Sequence, residues 1–99
     1  MRVVSDASPI IALARIGCLG FLNQVYGRVH IAREVYEEVV IAGSGLPGAD
    51  LISVADWIEV ATVHSRSLLS REIERTRLAA GEVSTVILAK ELGADPVLI

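Results

Sequence analysis

An α/β fold, with helix layers on both sides of a central parallel sheet, is what the sequence predicts, and three observations predict it. Short runs rich in β-branched residues recur along the chain, at residues 2–5, 28–31, 57–63 and 96–99. The first, with Val3 and Val4, has the apolar character of a strand buried on both faces. Helix-length segments separate these runs throughout, the alternation that parallel β-α-β units in a three-layer α/β/α arrangement produce. Hydrophobic residues make up 53% of the chain but aromatic ones only 4%, so the core has to be assembled from aliphatic side chains on helices and short strands.

Each element follows from local chemistry. Residues 2–5 form the first strand, closed by Asp6 and Pro9. Ser8 is expected to be the N-cap and Pro9 the first helical position of a helix that Gly17 ends. Residues 19–26 predict a second helix, 28–31 the second strand and 32–42 a third helix. Residues 43–48 form a loop, 49–55 a helical turn or short helix, and 57–63 the third strand. An exposed helix is expected over 65–77. Residues 81–92 carry Val83, Val86, Ile87, Leu88 and Leu92 on more than one side, the pattern of a mostly buried helix. Gly93 stops it, and 96–99 begin a fourth strand.

A length of 99 residues suits one small domain, 1–99. The net charge of −3 argues against general attraction to nucleic acid, leaving only a local basic patch for such a role. The single cysteine, Cys18, excludes an internal disulfide and the Cys-rich zinc frameworks. It is expected to be a small buried apolar residue, and one free thiol fits a reducing, cytoplasmic setting. Asp6 and Arg15 interrupt the apolar N-terminus, and no uncharged stretch approaches the roughly 20 residues of a membrane span, so a soluble protein is expected.

Several motifs can be set aside. The loop Gly43-Ser-Gly-Leu-Pro-Gly48 matches the glycine spacing of the dinucleotide fingerprint, but a helix precedes it and position 68 is Leu, whereas that fingerprint needs a preceding strand and an acid about 20 residues on. It continues with Ala49-Asp50 where a phosphate-binding loop needs Lys and then Ser or Thr, so a flexible connector is expected. His30 and His64 lack the spacing of a zinc site. Asp6 as a phosphoryl-accepting nucleophile would call for a second Asp two residues on, where Ser8 stands.

Acidic residues carry more information. Asp6 directly follows the first strand, and ligands of open parallel sheets bind beyond the carboxyl ends of the strands. On the third helix, Glu34 points directly away from the apolar stripe of Val35, Tyr36, Val39 and Val40, while Glu37 and Glu38 flank it on opposite sides. Periodicity does not choose between those two. Glu82 lies in the first turn of the buried helix, where a carboxylate also interacts favourably with the helix dipole. Asp6, one of Glu37 or Glu38, and Glu82 would repel one another in a single cleft unless a cation neutralised them. Oxygen-only ligands favour Mg²⁺ or Mn²⁺ over zinc, and such a cation can polarise a phosphodiester and activate water without a protein nucleophile. Arg66, Arg71, Arg75 and Arg77 form the one basic concentration, relieved by Glu72 and Glu74. As a solvated helix face or as a steering surface for a phosphate backbone, it is the candidate for contacting RNA.

Three ordered blocks together carry a resemblance: Val3-Val-Ser-Asp6-Ala-Ser8-Pro-Ile-Ile, His30-Ile-Ala-Arg-Glu-Val-Tyr-Glu-Glu38-Val-Val, and Ala80-Gly-Glu82-Val-Ser-Thr-Val-Ile-Leu-Ala-Lys. The chain resembles the PIN-domain proteins, closest to the branch with Ser-Asp-x-Ser-Pro after the first strand. The resemblance implies a Mg²⁺- or Mn²⁺-dependent endoribonuclease, VapC-like, many relatives being toxins of toxin–antitoxin pairs restrained by an antitoxin protein. It makes Asp6 the first metal-binding acid, with Ser8 at the supporting hydroxyl position. It also selects Glu38 as the helix acid and places Glu82 as the third, where many relatives carry Asp. The family pattern continues with a fourth acid after the fourth strand, then a helix and usually a fifth strand, whereas this sequence ends at Ile99. A four-stranded, C-terminally incomplete PIN-like domain is therefore expected. Asp95 precedes the fourth strand and does not replace the missing acid. Weakened metal binding follows from that loss, a non-catalytic module binding RNA or a protein partner is the alternative, and a homodimer paired along the exposed 97–99 strand edge is expected.

Overall fold

The computed structural model describes residues 2–94 together with the strand at 97–98. Val3, Val4 and Ser5 are completely buried, and the strand they build, β1 (Val4–Ser5), lies inside the sheet. β2 (Val29–Ala32) and β3 (Ile58–Ala61) continue from it on one side, all parallel, with Val4 opposite His30 and Val29 opposite Ile58. These three strands are the body of the sheet. The two-residue β4 (Val97–Leu98) pairs parallel on the other side of β1, giving the order β3-β2-β1-β4. The chain thus leaves β1 in one direction and returns on its far side, which puts the topological switch point at the carboxyl end of β1. That is where open parallel sheets hold their ligands, and Asp6 is the residue there.

Among the described residues six helices connect and cover these strands: α1 (Ala7–Arg15), α2 (Gly20–Tyr26), α3 (Arg33–Tyr36), α4 (Ala49–Ser53), α5 (Arg66–Thr76) and α6 (Ala80–Leu92). Aliphatic residues from both kinds of element fill the core, among them Ile10, Val29, Ile31, Val35, Val63 and Leu88. No helix among the described residues is long and apolar enough to cross a membrane.

Four local expectations are corrected. The N-cap of α1 is Asp6 rather than Ser8: its backbone is still extended (φ −78°, ψ 177°) and its side chain accepts from the Ala7 N–H. Aspartate is as good a cap as serine, and the one nearer the strand is used. Pro9 therefore lies inside the first turn, where its missing N–H costs nothing. The helix expected over 32–42 is α only to Tyr36 and then widens into a π-helical turn over Glu37–Ile41, closed by the Ala42 N–H on the Glu37 carbonyl at 2.7 Å. The β-branched run Val39-Val40-Ile41 crowds α-helical geometry, and a Cβ on Gly43 would run into the Val39 carbonyl oxygen.

The glycine loop is not merely a connector, since Gly48 adopts φ +93° and a Cβ there would come within 2.7 Å of the Ala14 Cβ, so α4 seats against α1 through it. Cys18 is exposed rather than buried; it belongs to the turn after α1, where its N–H is held by the Leu13 carbonyl at 2.8 Å. Asp95, Ile99 and the side chains of the 97–99 edge, on which the expected pairing of copies depends, lie outside the described residues.

Candidate functional site

Asp6 is only 7% exposed. Its Oδ1 accepts from the Ala7 N–H at 2.7 Å, so capping α1 fixes the carboxylate at the end of β1. Glu38 reaches the same place from the π turn. A Cβ on Gly81, in the first turn of α6, would lie 3.0 Å from Glu38 Oε1, 3.6 Å from Asp6 Oδ1 and 3.6 Å from Val35 Cγ2. Two carboxylates carried by different elements therefore flank one methyl-sized gap that exists because residue 81 is glycine. Glu82, the next residue, lines a groove of about 580 Å³ between α5 and α6, and Asp6 lines it too. The structure brings Asp6 and Glu38 together at Gly81, and Asp6 and Glu82 together on the groove. Glu37 turns elsewhere, pairing with Arg33 at 3.2 Å.

The backbone at Gly81 is held by two side chains of its own helix. Ser84 Oγ and Thr85 Oγ1, both buried, donate to its carbonyl oxygen at 3.0 and 2.7 Å. The hydroxyls thereby satisfy their own polarity inside the apolar helix and tie down the first turn that carries Glu82. Sequence reasoning passed over these three residues. The signal was a glycine in the first turn of an otherwise apolar helix, followed by hydroxyls at the third and fourth positions beyond it.

Among the described residues no Lys, Arg or His forms an ion pair with Asp6, Glu38 or Glu82, and the nearest cations are those that share their clefts, Arg75 and Lys90 on the groove with Asp6 and Glu82 and Arg15 beside Glu38. The donor set is all oxygen, which fits a hard cation that keeps several waters and takes one or two protein carboxylates, as Mg²⁺ does. Among the described residues no group of three His, Cys, Asp or Glu side chains is drawn close enough to form a metal cage by itself. The donor atoms are thus of the kind a hard divalent cation takes, and among the described residues they form no closed cage.

The arginines divide. Arg66 Nη2 donates to Glu34 Oε2 at 2.9 Å and Arg75 Nε to Glu72 Oε2 at 2.6 Å, while Arg71 is exposed with no ion pair among the described residues. Only Arg75 of these three lines the groove, with Lys90. Glu34, which points away from the apolar stripe of its helix, has a side chain only 15% exposed, and its Oε1 is buried without a hydrogen-bond partner among the described residues. The direction away from its helix's apolar stripe meets Arg66 at the start of α5, so it is not a direction to water. Ser8 is exposed and makes no side-chain hydrogen bond among the described residues. At the far end of the groove, Glu91 accepts from the backbone N–H groups of His64 and Ser65 at 2.7 and 3.0 Å. Those bonds hold its carboxyl below the ordinary range and anchor the start of α5 to the end of α6.

A parallel α/β sheet with a capping aspartate at its switch point, faced by a glutamate from the segment after β2 and another from the first turn of a late helix, defines an α/β protein with a carboxylate site at its strand ends. The chain belongs to the PIN-domain family, whose model matches residues 2–99. Comparison with curated proteins and with solved structures found no match.

Proposed function

We propose that the protein is a Mg²⁺- or Mn²⁺-dependent endoribonuclease that hydrolyses RNA phosphodiesters on the family's three-layer α/β/α framework, with Asp6, Glu38 and Glu82 as its metal-binding acids. The observation that carries this reading is the convergence of Asp6 and Glu38 on the gap at Gly81, neither being in an ion pair among the described residues. Membership of the PIN family adds to it, because PIN domains are commonly nucleases that use divalent metals. A divalent cation bound there supplies Lewis-acid polarisation of the phosphodiester and activation of water. The protein's own part is positional. Asp6 is locked by its cap bond, Glu38 is delivered by the π turn, and Glu82 is set by the hydroxyl-clamped first turn of α6. Arg71 on α5, without an ion pair among the described residues, and Lys90 on the groove are the cations for a phosphate backbone, with Arg75, paired to Glu72, beside them. As a toxin of a toxin–antitoxin pair, the protein would be restrained by an antitoxin partner.

Cleavage of single-stranded RNA in Mg²⁺ tests the reading. Asp6→Asn, which keeps the capping oxygen but removes the charge, is expected to lower the rate by about 100-fold, the scale on which metal sites respond to damage. Undiminished cleavage by that variant would remove Asp6 from the site.

A further inference from the structure

The two halves of α5 are held very differently. Leu69 is the only residue this helix buries, and from Ser70 to Ala80 no residue is buried, Ile73 touching the core without being enclosed by it. The polar contacts divide at the same point. At the start of α5 they reach other elements: Glu91 of α6 accepts from the His64 and Ser65 N–H groups, and Arg66 donates to Glu34 of α3. Beyond Leu69 they stay within the segment. Arg75 pairs with Glu72 at 2.6 Å, Thr76 Oγ1 donates to the Glu72 carbonyl at 2.7 Å and accepts from the Leu78 N–H at 3.3 Å, and the Arg77 N–H donates to the Ile73 carbonyl at 2.9 Å. Among the described residues no side-chain hydrogen bond or ion pair ties 70–78 to the rest of the protein.

The segment also ends in an unfavourable conformation. Among the described residues Arg77 is the one residue other than glycine with a positive φ, +57°, a left-handed geometry that disfavours any residue carrying a Cβ. A helix as short as α5 is marginal in water without packing, and a stretch with few buried contacts is where a fold opens locally.

What the loosely held half covers is the groove. Glu72, Arg75, Thr76 and Leu78 line it from this side, and Asp6 and Glu82 line the same space. The opposite wall, with Val83 and Ile87, belongs to α6, which buries residues along most of its length. Of the two walls, only the end of α5 is free to move.

We infer that residues 70–78 are a flap over the groove, which opens by unwinding the end of α5 while the start stays fastened, and so controls entry to the groove and to the acids on it. The inference concerns access and stands independently of the nuclease reading.

Hydrogen exchange followed by NMR on the full chain tests the opening, and a thiol placed in the groove tests what it uncovers. The amides of Arg75, Thr76 and Arg77 are expected to exchange on the order of 100-fold faster than those of Ile87 and Leu88 in α6. Arg77→Gly, which relieves the left-handed position, is expected to slow them about fivefold. Val83 is 7% exposed, so in protein carrying Cys18→Ser and Val83→Cys, iodoacetamide is expected to reach the groove thiol only through the opening, at a rate that Arg77→Gly lowers by the same factor. Should Val83→Cys not fold, Ile87→Cys on the same wall takes its place. Exchange at Arg75 to Arg77 as slow as at Ile87 and Leu88, or a groove thiol whose rate Arg77→Gly leaves unchanged, overturns the inference.

Discussion

Gly81 separates two carboxylates by the room of one absent methyl group. A Cβ there lies 3.0 Å from Glu38 Oε1, the free end of a side chain that can swing aside. In the first turn of a helix, alanine is favoured over glycine by up to about 1 kcal/mol. Gly81→Ala is therefore expected to leave thermal stability unchanged or slightly raised while lowering RNA cleavage. A variant that loses stability in a melt and activity in the assay together would contradict this separation. At this scale Asp6 was legible because an apolar strand ending in a carboxylate is a pattern that chain order alone displays. Glu38 was legible only through resemblance, since Glu37 and Glu38 flank the apolar stripe on either side. The burial of Glu34 was not visible and Cys18 was misread, because whether a side chain meets water depends on α5 or on a turn that periodicity does not see.

Among the elements, α5 depends on its neighbour for attachment. It buries only Leu69, and Glu91 of α6 secures its start through the His64 and Ser65 N–H groups. Those bonds, with the His64 bond the larger, depress the folded pKa of Glu91 below its ordinary 4.5. A depressed carboxylate contributes stability that is fully present above the unfolded value and is lost as the pH falls through the folded one. Glu91→Gln is accordingly expected to lower the urea midpoint at neutral pH, with the gap to wild type shrinking as the pH drops below 4.5. A gap that stays constant down to strongly acidic pH would show that the charge of Glu91 does not anchor α5. The alternation of strands and helices was readable from apolar runs and glycine punctuation. The π turn was not, because it is closed by a backbone hydrogen bond from Ala42 to Glu37 that side-chain periodicity does not register.

For the molecule as a whole, the strand order β3-β2-β1-β4 places the one residue directly after β1 at the switch point, and the elements that follow β2 and precede β4 bring Glu38 and Glu82 towards it. The parallel α/β class followed from composition and alternation. That the acids could meet in one cleft followed from Asp6 at a strand end and Glu82 at the start of the buried helix; that Asp6 and Glu38 meet at Gly81 did not, since it needs the lateral order of strands and the seating of α6, neither of which a single sequence displays. The central claim is that this convergence holds a divalent cation. Titrating Mg²⁺ or Mn²⁺ into the full chain by calorimetry measures it most directly: saturable binding that is lost in both Asp6→Asn and Glu38→Gln is the predicted result, whereas no binding at millimolar metal, or binding that both variants retain, would contradict the account.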